Sequence, residues 1–166
     1  MSPPSIAHLE LIFSLANGLA LVSWLLLAAS PAGTRRAPRV RLFAGRVVPM
    51  VLAAVYVALF AVTGMGGGGY DSLASVQRLF GVPALLTAGW LHYLAFDLFV
   101  GAWIADRAGR LGVPHLVVLP LLALTFLFGP AGLLAFAGLR ALWPRQRQAL
   151  GLTHASSGAS LEREPS

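Results

Sequence analysis

The stretch VPALLTAGWLHYLAFDLFVGAWIA, residues 82–105, decides the fold class of this chain. About 20 predominantly apolar residues are enough for a helix to cross the hydrocarbon core of a bilayer, and this run is longer. It nevertheless contains Asp97. A carboxylate at mid-membrane depth costs roughly 2.5 to 3.5 kcal/mol on insertion scales. The stretch therefore predicts a membrane-spanning helix whose polar residues have either a function or a polar partner.

Polar and aromatic residues of this helix are expected on one stripe. At about 100° per residue, Tyr93 and Asp97 are one turn apart, and Trp90 and Gly101 lie near the same line. His92 is about 140° from Asp97 around the helix axis. A direct contact between His92 and Asp97 within a straight helix is therefore not expected, although both are candidates for proton transfer.

Composition places the whole chain in the membrane class. Hydrophobic residues make up 57% of it and charged residues only 11%, which is outside the range of soluble domains. All of its basic residues are arginines, concentrated in residues 35–46, which indicates membrane orientation rather than nucleic-acid binding. The absence of cysteine excludes disulfides and thiolate metal sites. The four histidines show no metal-binding spacing, so no metal is expected.

The remaining apolar runs predict three further spans and one short helix. The predicted fold is an all-α integral membrane protein with four transmembrane helices plus one short interfacial helix. The spans are residues 11–29, 47–63, 82–105 and 115–139, and residues 72–80 form the interfacial helix. Residues 31–46 are read as a basic cytoplasmic loop. Residues 1–142 form the membrane domain, and residues 143–166 form a polar tail predicted to be disordered.

Two features of the sequence bear on topology. Arginine counts in the loops favour both termini on the outer side. Pro130 predicts a kink or break near residues 128–130. If the last segment turns back at Pro130 instead of crossing, Arg140 joins the arginine-rich side. Both arrangements remain open from the sequence.

Several short runs also match a known protein family. They are Asn17, Trp24-Leu25-Leu26, Ser72-Leu73, GWLHYLAFDLFVG at residues 89–101, Pro114-His115 and LTFLFGP at residues 124–130. With these runs the chain resembles the abscisic-acid-deficient-four-like family over about residues 16–140. The plant members are implicated as neoxanthin synthases of the plastid membrane, and the bacterial members are largely a domain of unknown function. Because the composition is rich in Arg, Ala, Gly and Pro, a bacterial inner (plasma) membrane is the expected location.

The resemblance implies a cofactor-free isomerase that converts a xanthophyll epoxide to an allenic alcohol. This reaction requires one proton delivered to the epoxide oxygen and one removed from C7, and no redox cofactor. The predicted catalytic residues, which can exchange protons, are Asp97, His92 and Tyr93. The predicted substrate-binding residues, which are aromatic or lie on one face of the first span, are Trp90, Phe96, Asn17, Glu10 and Phe128.

A non-catalytic interpretation stays open beside this one. Asp97 and Tyr93 can instead hydrogen-bond neighbouring helices, with Asn17 as one candidate partner, at roughly 0.6 kcal/mol per contact. The protein would then be a pigment-binding module or an accessory membrane subunit. The expected partners are the lipid bilayer, a lipophilic small molecule such as a carotenoid, and a second copy or another membrane protein. No nucleic-acid partner is expected.

Overall fold

The structure, a computed structural model, describes residues 4–143. Over that range the chain is all-helical, as predicted, and contains no strand. The helices are α1 (Ile6–Ala28), α2 (Ala37–Leu42), a π-helical turn (Phe43–Val47), α3 (Val48–Thr63), α4 (Leu73–Phe80), α5 (Pro83–Arg110), α6 (His115–Phe128) and α7 (Pro130–Trp143).

Three continuous helices of the described chain are long and apolar enough to cross a membrane. They are Ile6–Ala28, Ala37–Thr63 and Pro83–Arg110. The third is the central one, because 56% of its most apolar window is buried inside the protein against 28% for each of the others. It packs against α1, α3, α4 and α6. The chain is therefore a membrane protein built around the helix that contains Asp97.

The predicted loop at residues 31–46 is wrong in its second half, because the second long helix already begins at Ala37. Pro38 lies in the first turn of that helix, where a proline leaves no intrahelical hydrogen bond unmade. Gly45 faces α5, and a Cβ atom there would lie 2.6 Å from the Cβ of Ala102. In the sequence both residues indicate a loop. Pro38 instead begins a helix, and Gly45 allows that helix to approach α5 closely.

The short helix predicted at residues 72–80 is present as α4. Ser72 caps it, with its Oγ accepting a hydrogen bond from the backbone N–H of Ser75 at 3.2 Å. Leu79 on this helix is buried. Gly68 in the preceding loop lies so close that a Cβ atom there would be 2.5 Å from the Leu79 backbone nitrogen. The location of α4 at the membrane interface remains a prediction.

The fourth predicted span differs from the structure, because residues 115–139 do not form one helix. The chain breaks at Gly129, which has a φ of +26°, inside the segment where a break was predicted. The two helices on either side, α6 and α7, are each about 21 Å long, shorter than the roughly 30 Å hydrocarbon core. Pro130 cannot donate the backbone hydrogen bond that would continue α6.

The two short helices form a hairpin that starts and ends at the same end of α5. Trp143, at the end of α7, donates a hydrogen bond from Nε1 to the carbonyl of Leu111, at 3.1 Å. Leu111 directly follows α5 and precedes the start of α6 at His115. The segment therefore runs inward along α5 and returns. We call α6 and α7 together the α6–α7 hairpin.

The hairpin also determines where the two ends of the described residues lie. His115 Nε2 lies 2.8 Å from the carbonyl of Ala28, so α1 finishes at the end where the hairpin starts. Ile6 therefore lies at one end of the bundle, and Trp143 and Arg140 lie at the other. The prediction of both termini on one side does not fit the described residues. Of the tail predicted as disordered, Trp143 is helical and residues 144–166 lie outside the described residues.

Candidate functional site

The predicted stripe on α5 faces α1 and α6. Trp90 donates a hydrogen bond from Nε1 to Asn17 Oδ1, at 3.1 Å. The Tyr93 hydroxyl donates to the backbone carbonyl of Phe126, at 3.4 Å. The rings of Trp90 and Tyr93 are 5.3 Å apart. One face of α5 thus connects side chains of α1 to the backbone of α6.

Asp97 is the next residue on this stripe, and its carboxyl group lies against the tip of the α6–α7 hairpin. A Cβ atom on Gly129 would collide with both carboxyl oxygens. Asp97 Oδ2 is buried and has no hydrogen-bond partner among residues 4–143. The hydroxyl of Tyr93, one turn earlier, is a neighbour of the carboxyl group. An acidic group with an oxygen still free to accept a proton is thus placed between two helices.

The tip of the hairpin brings the ends of two helices close to Asp97. Gly129 immediately precedes Pro130, the first residue of α7. The first N–H groups of a helix have no intrahelical partner, and the helix dipole favours negative charge there. The C-terminal end of α6 lies at the same tip, and its dipole has the opposite effect. Asp97 lies about 20 Å from either end of α5, so the hairpin tip meets it midway along the helix.

An apolar cavity of about 310 Å³ opens beside the stripe, between the beginnings of α1 and α5. Glu10 and Trp90, both predicted to bind substrate, line it. Phe13 lines it as well, with its ring 5.7 Å from that of Trp90. Trp90 is about 10 Å from Asp97 along the helix axis. The cavity and the carboxyl group therefore lie on the same side of α5, and neither Tyr93 nor Asp97 lines the cavity.

Two predicted residues lie elsewhere. The His92 ring stacks on Phe96 at 4.5 Å and lies 5.7 Å from the ring of Tyr56 on α3. It is therefore on a different face of α5 from Asp97, in agreement with the predicted angular separation. Phe96 is 59% exposed on that same face. The structure does not bring these two residues to the carboxyl group.

Phe128, also predicted to bind substrate, ends α6 next to the hairpin tip and is 63% exposed. Gly129, which follows Phe128, contacts Asp97, and the sequence did not predict this contact. The Gly-Pro pair within an apolar run was the available signal, and it predicted only a break. The carbonyl of Phe126 has no signal in the sequence, because any residue type supplies one.

The arrangement offers a carboxyl group, a phenol and an apolar cavity, but no metal centre is seen in the described part. Among residues 4–143, no three His, Asp or Glu side chains are placed to hold a metal ion together. Asp97 can accept a proton from a molecule bound between α1 and the α6–α7 hairpin, and Tyr93 can donate one to it.

A family model described as ABA DEFICIENT 4-like matches residues 11–136, about three quarters of the chain. No curated protein and no solved structure matches the chain.

Proposed function

Since this chain belongs to the ABA DEFICIENT 4-like family, we propose that it is a membrane enzyme that isomerises a xanthophyll epoxide, as a neoxanthin synthase does. The observation that carries the proposal is the Asp97 carboxyl group. It lies midway along the central apolar helix, has a buried oxygen without a hydrogen-bond partner among residues 4–143, and faces the start of α7. Because a carboxyl group at membrane depth is costly, such a group usually marks a functional site.

The chemistry requires only proton transfers. Protonation of the epoxide oxygen and cleavage of the C6–O bond leave a hydroxyl group on C5 and positive charge on C6. Loss of the C7 proton then forms the C6=C7 bond of the allene. One proton is gained and one is lost, so the product is an isomer and no cofactor is consumed. In our proposal, Tyr93 donates the first proton and Asp97 accepts the second, and the proton then passes from Asp97 to the neighbouring Tyr93 oxygen, which restores both groups.

The neighbouring cavity supports an apolar substrate with a polar end group. Its wall is mostly hydrophobic, and Glu10 provides a carboxylate for a ring hydroxyl. Trp90 offers a flat face to a polyene, and its bond to Asn17 holds the indole in place. His92 faces α3, so it has no step in this proposal.

Expression in a host that accumulates 5,6-epoxy xanthophylls tests the function. Chromatography and mass spectrometry of the extracted pigments should show a new product with the mass of the substrate. Asp97→Asn should abolish this product at equal protein level, because the amide keeps the size of the side chain and cannot accept the proton. Asp71→Asn, the same change on an exposed loop residue, should leave product formation intact. Near-normal turnover by the Asp97→Asn variant would eliminate Asp97 as acid or base.

A non-catalytic pigment-binding module or accessory subunit is the second candidate. The hydrogen bonds of Trp90 and Tyr93 to α1 and α6 favour it, because they show the stripe joining helices. A bound pigment recovered unchanged from the same host would support this function instead. For either candidate we propose the bacterial inner membrane as the location, and a second copy or another membrane protein as a partner.

A further inference from the structure

A second and larger cavity, of about 570 Å³, lies at the arginine-rich end of the bundle. It lies along the line where the second long helix packs against α5, and it is unrelated to the proposed epoxide site. Its charged lining consists of Arg41, Arg46, Asp106 and Arg110, and Phe99 and Trp103 form an aromatic wall. We call this cavity the arginine groove.

The arginine groove carries an excess of positive charge. Asp106 pairs with Arg41 at 3.3 Å and also with Arg110. Arg46 has no acidic partner among residues 4–143. Three cations against one anion leave the groove with a formal charge of about +2, which favours an anionic ligand.

Arg41 is the most enclosed of these cations. Its side chain is only 17% exposed, whereas that of Arg110 is 62% exposed. Its Nε is buried and has no hydrogen-bond partner among the described residues. A buried donor without a partner carries a free-energy cost. The groove therefore contains a guanidinium group that is only partly satisfied by protein.

The α5 wall of the groove is polarised along its length. Phe99, Trp103, Asp106 and Arg110 follow one another along one face of α5. The aromatic residues lie towards the middle of the bundle, and Arg110 lies at its end. Phe99 is 50% exposed and Trp103 is 38% exposed. A membrane lipid has the same order of parts, with a charged headgroup outside and an acyl chain inside.

We propose that the arginine groove binds one anionic phospholipid. The phosphate is held by Arg41, Arg46 and Arg110, because guanidinium groups pair with phosphate oxygens through two parallel hydrogen bonds. The first part of an acyl chain lies against Phe99 and Trp103. A free phosphate ion has the same charge chemistry but would leave the aromatic wall uncovered, so the lipid is the better fit.

Fluorescence quenching of Trp103 tests this site in the full chain. The protein is reconstituted in phosphatidylcholine vesicles containing a small fraction of brominated phosphatidylglycerol or, in parallel, brominated phosphatidylcholine. The Trp103 signal is the difference between wild type and Trp103→Phe. Brominated phosphatidylglycerol should quench it with an apparent affinity about fivefold or more above that of the phosphatidylcholine. Equal quenching by the two lipids would overturn the proposal without use of any charge variant.

Charge variants distinguish the groove from general surface attraction. Arg46→Gln should bring the two lipids close to parity, because it removes a groove cation that has no structural ion pair in the described chain. Arg39→Gln removes an exposed arginine outside the groove, and the preference should persist. An equal loss in both variants would show surface attraction and refute the site. Inorganic phosphate, compared with chloride at equal ionic strength, should not displace the lipid. Displacement by millimolar phosphate would assign the groove to a soluble anion instead.

Discussion

Asp97 and Gly129 are in such close contact that each restricts the residue type at the other position. Its carboxyl group meets Gly129 so closely that no side chain fits there. The same glycine has a positive φ, which allows the chain to reverse between α6 and α7. One residue thus sets both the turn of the hairpin and the room for the carboxyl group.

Gly129→Ala is expected to destabilise the protein by about 1 to 3 kcal/mol, because it adds backbone strain and a clash with Asp97. It should also lower product formation per folded protein, since the clash displaces the carboxyl group. Gly138→Ala is the matched control on α7, where a Cβ atom meets nothing within 4 Å. That change should be neutral or slightly stabilising. Thermal unfolding in detergent, followed by circular dichroism, measures both. Equal stability of the two variants would contradict the packing described for Gly129.

The contact between Trp90 and Asn17 can be measured by a double-mutant cycle. Trp90→Phe and Asn17→Leu each remove the hydrogen bond, so their effects on unfolding should not add. We expect a coupling free energy of about 0.6 kcal/mol, up to roughly 1.7 kcal/mol, as for other hydrogen bonds between membrane helices. Additive effects would mean that the bond contributes nothing to the bundle, and would weaken the non-catalytic interpretation of the stripe.

At the scale of helices, the α6–α7 hairpin decides how Asp97 is surrounded. Each arm is too short to cross the membrane alone, and both arms pack along α5. Phe136 of α7 is buried, with its ring 5.4 Å from that of Trp103. Thr125 of α6 lies so close to Gly132 of α7 that a Cβ atom on Gly132 would clash with the backbone of Thr125. The two arms are thus in direct contact just beyond the turn.

Cysteine labelling tests the hairpin directly, because the chain has no cysteine of its own. Single cysteines at Arg107, Arg140 and Tyr70 can be labelled with a membrane-impermeant reagent in oriented vesicles. Residues 107 and 140 should react from the same side, and residue 70 from the other. A fourth complete span would instead place residue 140 on the side of residue 70. That result would refute the re-entrant arrangement.

At the scale of the molecule, the long helices and the hairpin leave an open surface lined by aromatic side chains. Phe13, Trp90, Phe126 and Phe128 are all at least 39% exposed. They lie around the stripe on α5, whereas the exposed Phe96 lies on the side of α3. Such a surface suits a long conjugated ligand that enters sideways from the bilayer.

Protein purified from a carotenoid-rich host should therefore carry a polyene absorbance band. The band should weaken in Trp90→Ala, because the indole forms part of the cavity wall. Leu116→Ala, an 80% exposed residue at the start of α6 and outside the cavity, is a control that should retain it. A folded but colourless wild-type preparation would favour the accessory-subunit function over both pigment-related ones.

The sequence by itself determined those features that depend on local periodicity and run length. A long apolar run predicts a helix whatever surrounds it, so the central span was found together with its stripe of Trp90, Tyr93 and Asp97. The angular separation of His92 from Asp97 follows from helix geometry alone. The break near Gly129 was also predicted, since a proline interrupts the backbone hydrogen bonds of any helix.

Only the tertiary structure decided what the break does. Gly129 and Pro130 permit a kink, a continued crossing or a reversal, and none of these is excluded by the local sequence. The packing of Phe136 beside Trp103 and the contact of Trp143 with Leu111 select the reversal. The same holds for residues 37–46, where Pro38 and Gly45 allow either a loop or a helix. In both places the residues set the permitted backbone conformations, and burial against α5 chooses among them, because that burial contributes free energy only once the helices have packed.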